Sequence, residues 1–462
     1  MKKQRQSRQF LLAIIAVLVS ICVFHQSTVA YSYFSRPSVN WINLPTATFN
    51  RSSHLPSVLI IIGTRPEAIK MAPIVHELIK RGNWPTVAVT GQHPDLIAIF
   101  LSELKVQAHI YLTNVFQRNQ SLGQLSARII EASTIMFRSI QPDVVLIQGD
   151  TTSAFAVAYS AFLQQIPTIG HVEAGLRTYD LSSPFPEEMN RQAISKMANV
   201  HFAPTLTAVK CLQRDSISTG RIHHTGNTAI DSILHVITSN QFNQENIVQE
   251  STLISNEVKN IIYRSETTPF GVGNVTAPRI ILLTTHRREN HNGGHSRIFQ
   301  AALELCKIFD TLHFIVPLHP SPSVRTAASN ILGNINTSNT GNGNKSNRCV
   351  HVIEPTGYFL TSILQKKSLI IMTDSGGIQE EAAALQKPVL VLREKTERVE
   401  GVKAGIAKVL GSKNVSFIVE ETSKLLNNID GSYDRMSKKT DCYGNGTAAI
   451  QIVNILLNKG RR

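Results

Sequence analysis

Three acidic side chains stand where they could exchange protons with a bound molecule. Asp150 and Glu173 each follow a short apolar segment directly, and Glu187 opens a segment of helical character with Arg191 four residues later. Each residue alone also has a purely structural interpretation. Asp150 could cap a helix, and Glu187 could form an exposed ion pair with Arg191. Taken together, three acids with their basic neighbours indicate a site for general acid and base chemistry.

Basic side chains and glycines occupy positions suited to an anion. Arg65 and Lys70 stand at the start of a predicted helix, where free N–H groups and the helix dipole favour negative charge. The turn Ser375-Gly376-Gly377 precedes another helix, and such a turn presents backbone N–H groups to a pyrophosphate. Glu381, within that helix, could accept hydrogen bonds from ribose hydroxyl groups. The pattern predicts a site for a nucleotide diphosphate.

Several cofactor motifs are missing from the chain. It contains no GxGxxG, no P-loop lysine motif, no Asp-x-Asp and no GxSxG, which disfavours a nicotinamide cofactor and the metal clamp of many glycosyltransferases. His286, His291 and His295 have a spacing that suggests metal ligands, but glycines and charged residues between them indicate a loop. We therefore predict no metal ion and no cofactor.

The composition limits the partners. Lysine and arginine number 46 against 32 acidic residues, a formal charge of +14, which favours anionic partners. Zinc-finger spacing and aromatic-basic RNA motifs are absent, so we predict no nucleic acid and favour a sugar nucleotide. The five cysteines form no CxxC pair, which favours buried free thiols over a disulfide scaffold or a zinc site.

The elements that must position these residues alternate between strands and helices from Val58 onward. Several strand candidates are apolar without alternation, as expected for strands buried on both faces, and the alternation predicts parallel α/β sheets. The strand candidates are Val58–Ile62, Thr86–Thr90, Val144–Gln148, Thr168–Val172, Arg279–Thr284, His313–Pro317, Val350–Ile353, Leu369–Thr373 and Pro388–Leu392. The helix candidates include Ala68–Arg81, Leu122–Ile140, Pro186–Ala198, Arg297–Phe309, Ile378–Leu385 and Ala448–Asn458.

The domain organisation follows from breaks in this pattern. We predict an α/β protein with two doubly wound domains, at residues 57–240 and 279–430, joined by a connection with an insertion at 241–278. A second insertion, Asn334–Asn347, is almost entirely Asn, Gly, Ser and Thr. Residues 431–462 form a C-terminal tail and helix.

The N-terminus has the character of a secretory leader. A basic start precedes an apolar run at residues 10–24, followed by small residues up to 30. A cleaved signal peptide and a signal anchor that enters the membrane through residues 10–24 both fit. Residues 31–56 then form a stem or linker, and seven Asn-x-Ser/Thr sequons follow the leader. We therefore predict a glycoprotein of the secretory pathway, in the lumen of the endoplasmic reticulum or Golgi or secreted.

Seven segments of the chain together resemble one enzyme family, the non-hydrolysing UDP-N-acetylglucosamine 2-epimerases. The segments are GTRPEAIKMAP (63–73), QGDTTSAFA (148–156), HVEAGLRT (171–178), PFPEEMNRQ (184–192), HTGNTAID (224–231), THRREN (285–290) and DSGGIQEEA (374–382). The resemblance implies two Rossmann-like domains facing across a cleft, as in GT-B glycosyltransferases. It also implies interconversion of UDP-N-acetylglucosamine and UDP-N-acetylmannosamine through 2-acetamidoglucal, without a metal or redox cofactor.

The resemblance also implies roles for individual residues. Acid and base catalysis would fall to Asp150, Glu173 and Glu187, and His286 would assist the departing phosphate. The residues expected to bind the UDP-sugar are Arg65, Lys70, Arg191, Arg287, Ser375, Gly376, Gly377 and Glu381. We further predict a homodimer.

One segment departs from the family pattern. Bacterial members commonly have a basic residue after Gln-His in a segment that belongs to an activating second substrate pocket, whereas Gln92 and His93 run into Pro94 here. Gln92 and His93 are therefore candidate allosteric residues only. Three alternatives to the epimerase stay open: a secretory GT-B glycosyltransferase that uses a UDP-sugar, a non-catalytic sugar-nucleotide binder, and a hydrolysing epimerase.

Overall fold

The computed structural model describes residues 37–41, 55–91, 94–238, 244–333 and 349–459. These residues form two sheets with helices on both faces. The strands are β1 (Ser38–Trp41), β2 (Val58–Ile62), β3 (Thr86–Val89), β4 (Ile110–Thr113), β5 (Val144–Gln148), β6 (Thr168–Val172), β7 (Val200–Ala203), β8 (Ile222–His224), β9 (Arg279–Thr284), β10 (Leu312–Pro317), β11 (Val350–Ile353), β12 (Ile370–Thr373), β13 (Val389–Val391) and β14 (Ala407–Val409).

The α-helices in the same ranges flank these strands or connect the two sheets. They are α1 (Arg65–Lys80), α2 (Pro94–Glu103), α3 (Leu122–Ile140), α4 (Thr152–Leu163), α5 (Glu187–Met197), α6 (Leu206–Arg214), α7 (Thr228–Thr238), α8 (Gln244–Glu250), α9 (Asn256–Arg264), α10 (Gly294–Ile308), α11 (Pro322–Leu332), α12 (Tyr358–Lys367), α13 (Gly376–Ala384), α14 (Val399–Lys403), α15 (Val415–Leu426), α16 (Ser432–Met436) and α17 (Ala448–Lys459).

The first sheet has the strand order β1-β4-β3-β2-β5-β6-β7-β8. Strand β1 is antiparallel to β4, and the other neighbours are parallel. Alternate residues of β2 enter different cores: Ile60 and Ile62 pack on one face of the sheet, whereas Leu59 and Ile61 pack on the other. A strand covered on both faces is apolar throughout, which explains the VLIII sequence of β2.

The second sheet has the order β11-β10-β9-β12-β13-β14 and is entirely parallel. Like the first sheet, it has a central pair at which the direction of winding reverses: β2 beside β5 in the first, and β9 beside β12 in the second. Ligands of doubly wound sheets bind beyond the carboxyl ends of such a pair. The predicted fold class, two Rossmann-like doubly wound domains facing across a cleft, is therefore confirmed.

The C-terminal helix α17 returns to the first sheet after the second sheet is complete. Ile452, Val453 and Leu456 of α17 join the core around α1 and β2. The N-terminus of α17 is held by Asp231 in α7, whose carboxylate accepts hydrogen bonds from the backbone N–H groups of Ala448 and Ala449 at 3.3 and 2.9 Å. Residues from the far end of the chain thus complete the first core.

Most predicted strands coincide with observed strands to within one residue at either end. The sequence prediction omits β4, β7, β8 and β14, which have only three or four residues each and therefore give weak periodic signals. Within the segment predicted as a stem or linker, Ser38–Trp41 forms the edge strand β1. That part of the segment belongs to the sheet because it hydrogen-bonds to β4.

The cysteine interpretation needs a correction. Cys306 in α10 and Cys349 before β11 form a disulfide with a Cα–Cα distance of 6.1 Å, whereas Cys211 and Cys442 are free. The two paired residues lie 43 positions apart, so the spacing gave no local signal. The two cysteines, separated in the described part of the chain by strand β10 and helix α11, meet only because the fold brings them together.

Some predictions fall on residues outside the described ranges. These are the leader at 1–30, the insertion at 334–347, and the candidate allosteric residues Gln92 and His93. Within the described ranges, the structure contains no helix that has both the length and the hydropathy of a membrane span.

Candidate active site

The carboxyl edges of the two sheets face each other. Arg65, which follows β2, donates a hydrogen bond from Nη2 to the carbonyl oxygen of Thr356, which follows β11, at 3.3 Å. Arg398, which follows β13, approaches Glu173, which follows β6, with 3.8 Å between Nη2 and Oε1. Side chains that end strands in different sheets therefore meet in one cleft.

Asp150 is held in place from its backbone and its side chain. The residue before it, Gly149, adopts φ 73°, and its carbonyl oxygen lies 2.7 Å from Nε2 of His171. Burial lowers the pKa of His171 to about 4, so the neutral ring donates this hydrogen bond. Arg191 donates from Nε to Asp150 Oδ2 at 2.7 Å, and Asn190 donates to the Asp150 carbonyl at 2.8 Å.

Glu173 lies buried between two cations. Lys70 Nζ donates to its Oε2 at 2.5 Å, Gln148 donates to the same oxygen, and Arg398 faces its Oε1. Burial alone would raise the pKa of Glu173, but Lys70 and Arg398 outweigh it and hold the pKa below its usual value. Glu173 is therefore an ionised carboxylate, suited to accept a proton.

Glu187 and Glu188 begin α5 in different surroundings. Glu188 is fully buried and accepts hydrogen bonds from the N–H groups of Thr178 and Tyr179 and from Arg191 Nη1, at 2.9, 3.1 and 3.1 Å. Oε2 of Glu187 is enclosed and has no hydrogen-bond partner in the described part of the chain. Glu188 fixes the helix, and Glu187 is left available to a ligand.

His286 faces the cleft from the end of β9 and is oriented by Asp374. Its Nδ1 lies 2.9 Å from Oδ1 of Asp374, a fully buried carboxylate that also accepts from the N–H groups of His286 and Arg287 and from Thr285 and Asn290. Burial would raise the pKa of Asp374, but these donors hold it far below its usual value. The ionised Asp374 keeps the proton on Nδ1, which leaves Nε2 for a ligand.

The start of α13 has the features of an anion site. A side chain at Gly376 would stand 3.1 Å from Cζ of Arg398, whereas at Gly377 an added Cβ would meet no described residue within 4 Å beyond its own helix backbone and chain neighbours. Nε of Arg287 is buried without a hydrogen-bond partner in the described ranges. Open space before a helix N-terminus and an unpaired guanidinium N–H fit a bound phosphate.

Arg65, beside the first sheet, and Glu381, beside the second, lie close enough across the cleft to interact electrostatically. The Arg65 guanidinium lies 4.2 Å from the centre of the Phe100 ring, and burial lowers its pKa. Burial raises the pKa of Glu381 to about 7, and Gln365 donates to its Oε2 at 2.7 Å. A carboxylate that is partly protonated near neutrality can both donate to and accept from hydroxyl groups.

The structure adds four residues that the sequence prediction did not assign. Asp374 lies inside a quoted segment, and Arg398 follows a buried strand, so the carboxyl-edge rule applied to β13 would have found it. Glu380 receives hydrogen bonds from Arg398 and Asn227 at 2.8 and 3.0 Å. Glu67 is the fourth; it lies inside the segment GTRPEAIKMAP, but no local pattern separates it from a surface glutamate at a helix start.

The predicted residues that the structure describes are all found along the two facing edges. Asp150 and Arg191 form an ion pair, Glu173 lies near enough to Arg191 for an electrostatic interaction, and Lys70 is bonded to Glu173. Gln92 and His93 lie outside the described ranges. Across those ranges, no group of three or more His, Cys, Asp or Glu side chains is placed to hold a metal ion.

Two Rossmann-like units with acids at one edge and an anion-binding helix start at the other define the class of GT-B-like enzymes acting on sugar nucleotides. The family model for UDP-N-acetylglucosamine 2-epimerase matches residues 77–457. The enzyme of that name from Neisseria meningitidis is 40% identical over 401 residues, 87% of this chain and 99% of the relative. The corresponding enzyme of Escherichia coli O157:H7 is 38% identical over 402 residues, 87% of this chain and 98% of the relative.

A solved structure agrees with these matches. The crystal structure of the Neisseria meningitidis enzyme bound to UDP-GlcNAc has a TM-score of 0.74 and 38% identity, and it covers 87% of this chain and 100% of its own. The chain belongs to the UDP-N-acetylglucosamine 2-epimerase family and is therefore an isomerase.

The predicted location in the secretory pathway is wrong. The relatives that share nearly their full length with this chain are bacterial UDP-N-acetylglucosamine 2-epimerases, and none of their names points to the secretory pathway. The signal-peptide, membrane and glycoprotein features find no support in these relatives. The prediction rested on the composition of residues 1–30 and on sequons, which arise by chance in a chain rich in Asn, Ser and Thr.

Proposed function

We propose that the protein interconverts UDP-N-acetylglucosamine and UDP-N-acetylmannosamine without releasing the free sugar. The observation that carries the proposal is Glu173, an ionised carboxylate buried between Lys70 and Arg398 at the boundary of the two sheets. A second carboxylate, Asp150, lies at the same edge. Epimerisation needs this combination, because a proton must leave carbon 2 and return to its other face.

The proposed reaction is an elimination followed by an addition. A carboxylate takes the proton of carbon 2 as the bond from carbon 1 to the phosphate oxygen breaks. The bonding electrons leave with UDP, and a double bond forms between carbons 1 and 2 to give 2-acetamidoglucal. UDP then adds back to carbon 1 while an acid delivers a proton to the opposite face of carbon 2.

Glu173 is the proposed first proton acceptor because its neighbours keep it ionised. Asp150 and Glu187 are the proposed groups for the opposite face. His286 assists the leaving phosphate by donating a hydrogen bond from Nε2–H, while its Nδ1–H is bonded to Asp374. Two groups on different faces of the sugar supply the acid and base catalysis that an unactivated C–H bond requires.

The proposed binding residues divide between the diphosphate and the nucleoside. The N–H groups of Gly376 and Gly377 and the side chain of Arg287 hold the diphosphate, with Arg65 from the facing sheet. Glu381 binds the ribose hydroxyl groups. Lys70 forms an ion pair with Glu173 and thereby keeps Glu173 ionised. Its positive charge also attracts UDP.

The test uses the purified full chain with UDP-N-acetylglucosamine in deuterium oxide, followed by proton NMR. We expect UDP-N-acetylmannosamine with deuterium at carbon 2, and gradual loss of the carbon 2 proton from the substrate pool. Free N-acetylmannosamine and UDP as the main products would instead indicate a hydrolysing enzyme. Substrate that keeps its proton would contradict the proposal, and the glycosyltransferase alternative would then predict turnover only with an added acceptor.

We also propose a homodimer, with α4 in its interface. Tyr159, Phe162 and Leu163 of α4 are 40%, 55% and 49% exposed, and Ile135 of the adjacent α3 is 44% exposed. Phe162 and Leu163 follow Tyr159 by three and four positions, so the three side chains share one helix face. An apolar stripe of this kind on two packed helices suits a second copy of the chain.

Charge introduced into this stripe should separate the subunits. Phe162→Glu places a carboxylate where we expect apolar contact, so light scattering should give the mass of a monomer at concentrations where the unchanged protein is a dimer. Val275→Glu, at a residue 70% exposed in the loop before β9, is the matched control and should leave the mass unchanged. An unchanged mass for Phe162→Glu would exclude this face from the interface.

A further inference from the structure

Glu67 is a buried acid that the proposed chemistry does not use. It lies in the first turn of α1, is 2% exposed, and its two carboxylate oxygens have different partners. Oε2 accepts a hydrogen bond from the backbone N–H of Gly63 at 2.5 Å, and Oε1 accepts one from the hydroxyl of Thr151 at 2.7 Å.

These two partners belong to different loops of the site. Gly63 opens the loop between β2 and α1, two residues before Arg65 at the start of α1. Thr151 directly follows Asp150 in the loop between β5 and α4. Because β2 and β5 are the neighbouring strands at which the winding of the sheet reverses, one carboxylate connects the two loops that flank the predicted ligand position.

A helix cap alone does not explain this arrangement. A glutamate at the third helical position can reach back to the N–H before its helix, and the bond to Gly63 is of this kind. That role needs only one acceptor oxygen, which glutamine would supply without burying a charge. Burial raises the pKa of Glu67 to about 7, so the ionised carboxylate costs stability at neutral pH. The bond to Thr151 is the part that capping leaves unexplained.

Thr151 transmits the position of Glu67 to Asp150. Its hydroxyl donates to Glu67 and accepts from the N–H of Ala154 at 3.0 Å, so it is the cap of α4 as well. With both hydrogen bonds made, the Thr151 side chain has one orientation, and the adjacent Asp150 is aimed toward Arg191. A hydroxyl that lost its acceptor could turn away and release this constraint.

We propose that Glu67 is a positioning residue that holds Asp150 in register with the Arg65 loop through Thr151. This inference rests on the proposed function, in which Asp150 transfers a proton. Glu67 touches no reacting atom in this account. Its loss misplaces Asp150 and leaves the UDP-binding start of α13 intact, so it acts on turnover more than on nucleotide affinity. Displacement of a catalytic group by about 1 Å can cost on the order of a hundredfold in rate.

The test compares Thr151→Val, Thr151→Ser and Glu67→Gln with the unchanged full chain. Valine keeps the shape of threonine but removes the hydroxyl, so we expect kcat to fall about ten- to a hundredfold while the Kd for UDP changes by less than about threefold. Serine restores the hydroxyl and should return kcat to within about fivefold of the unchanged enzyme. Glu67→Gln should lower kcat in the same direction because its amide has one acceptor oxygen for the two donors, Gly63 N–H and the Thr151 hydroxyl.

The control addresses the loss of a helix cap. Ser255→Ala removes the N-cap hydroxyl of α9, which accepts from the N–H of Val258 at 3.3 Å, outside the loops of the site. It should lower Tm to a similar extent as Thr151→Val but keep kcat. Near-normal kcat in both Thr151→Val and Glu67→Gln would overturn the proposal. An equal loss of kcat and UDP affinity would also overturn it, because the whole cleft would then depend on Glu67.

A crystal structure of Thr151→Val separates this inference from the proposed function. The inference requires Asp150 Oδ2 to leave Arg191 Nε, from which it lies 2.7 Å away in the unchanged protein. If the unchanged enzyme did not epimerise its substrate, the proposed function would fail, yet this displacement would still be measurable. An Asp150 that stays within hydrogen-bond distance of Arg191 would exclude the positioning role whatever the reaction proves to be.

Discussion

Glu187 and Glu188 show how adjacent residues of one type take different roles. The carboxylate of Glu188 accepts hydrogen bonds from two backbone N–H groups and from Arg191. Oε2 of Glu187 is buried and has no hydrogen-bond partner in the described ranges. Replacing one oxygen of a buried carboxylate by an amide nitrogen leaves a buried donor without an acceptor, and this costs about 1–3 kcal/mol. Replacing a catalytic carboxylate by an amide lowers the reaction rate and leaves stability largely unchanged.

The pair therefore gives a matched test. We expect Glu187→Gln to lower kcat about a hundred- to ten-thousandfold with little change in Tm, because only proton transfer is lost. Glu188→Gln should lower Tm, since the amide places a donor against the N–H groups of Thr178 and Tyr179. Activity assays and thermal unfolding of both variants check this. The assignment would be wrong if Glu187→Gln were fully active.

Glu67 also predicts a pH dependence of stability. Its pKa is raised by burial from 4.5 to about 7, so the folded state binds a proton that the unfolded chain releases between these values. Stability contributed by this group is thus greatest below pH 4.5 and is lost as the pH rises to about 7.

Glu67→Gln removes this titration. The unfolding free energy of the variant minus that of the unchanged protein should rise by at most about 1.4 kcal/mol per pH unit within that window and stay constant above it. Denaturant unfolding at several pH values measures the difference. Glu381 and Asp231, whose pKa values are also raised by burial, titrate equally in both proteins and cancel. Parallel curves would show that Glu67 is already ionised at the lower end of the window.

At the scale of the element, the start of α13 depends on residues without side chains. Gly376 is packed against the guanidinium of Arg398, whereas the space beside Gly377 is empty in the structure. The first glycine is required by the protein itself, and the second leaves room for what binds there.

Alanine at Gly377 should therefore reveal the ligand position. Gly377→Ala adds a methyl group to open space, so we expect Tm to change little and the affinity for UDP to fall at least about tenfold. Isothermal titration with UDP measures the affinity. Gly123→Ala in the first turn of α3, where the nearest atom to an added Cβ lies at 3.8 Å, is the control and should bind UDP normally. Unchanged affinity in Gly377→Ala would place the diphosphate elsewhere.

At the scale of the whole molecule, the two ends of the chain depend on each other. Helix α17 follows the last strand of the second sheet but buries Ile452, Val453 and Leu456 against α1 of the first. The predicted first domain ends at residue 240 and therefore leaves out α17, which contributes side chains to the first core. The predicted domain boundaries stay a prediction.

A substitution in α17 should accordingly destabilise the first unit. Ile452 is fully buried and Ile450 is 37% exposed on the same helix. Burial of an isoleucine contributes about 1.5–3 kcal/mol, and a buried unpaired carboxylate adds to the loss, so Ile452→Asp should unfold or strongly destabilise the protein. Ile450→Asp should change Tm by only a few degrees. Similar effects from both would mean that α17 contributes little to the core.

Sequence alone determined the strands and the chemistry at their ends. The strands β2, β5, β6 and β9 are buried on both faces, so their apolar composition identifies them as strands. Acidic or basic residues directly after parallel strands must lie at the carboxyl edge of the sheet. That is why Asp150, Glu173 and His286 could be placed at the carboxyl edges of the sheets without a structure.

Only the tertiary structure decided which side chains pair. Arg398 meets Glu173 from the other sheet, Asp374 orients His286 from 88 residues away, and Glu67 joins two loops through Thr151. Such contacts depend on how parallel strands far apart in sequence lie side by side, and no local pattern encodes them. The charge of Glu173 follows from its neighbours in space, because burial and nearby cations act in opposite directions on its pKa and their balance is set by distance.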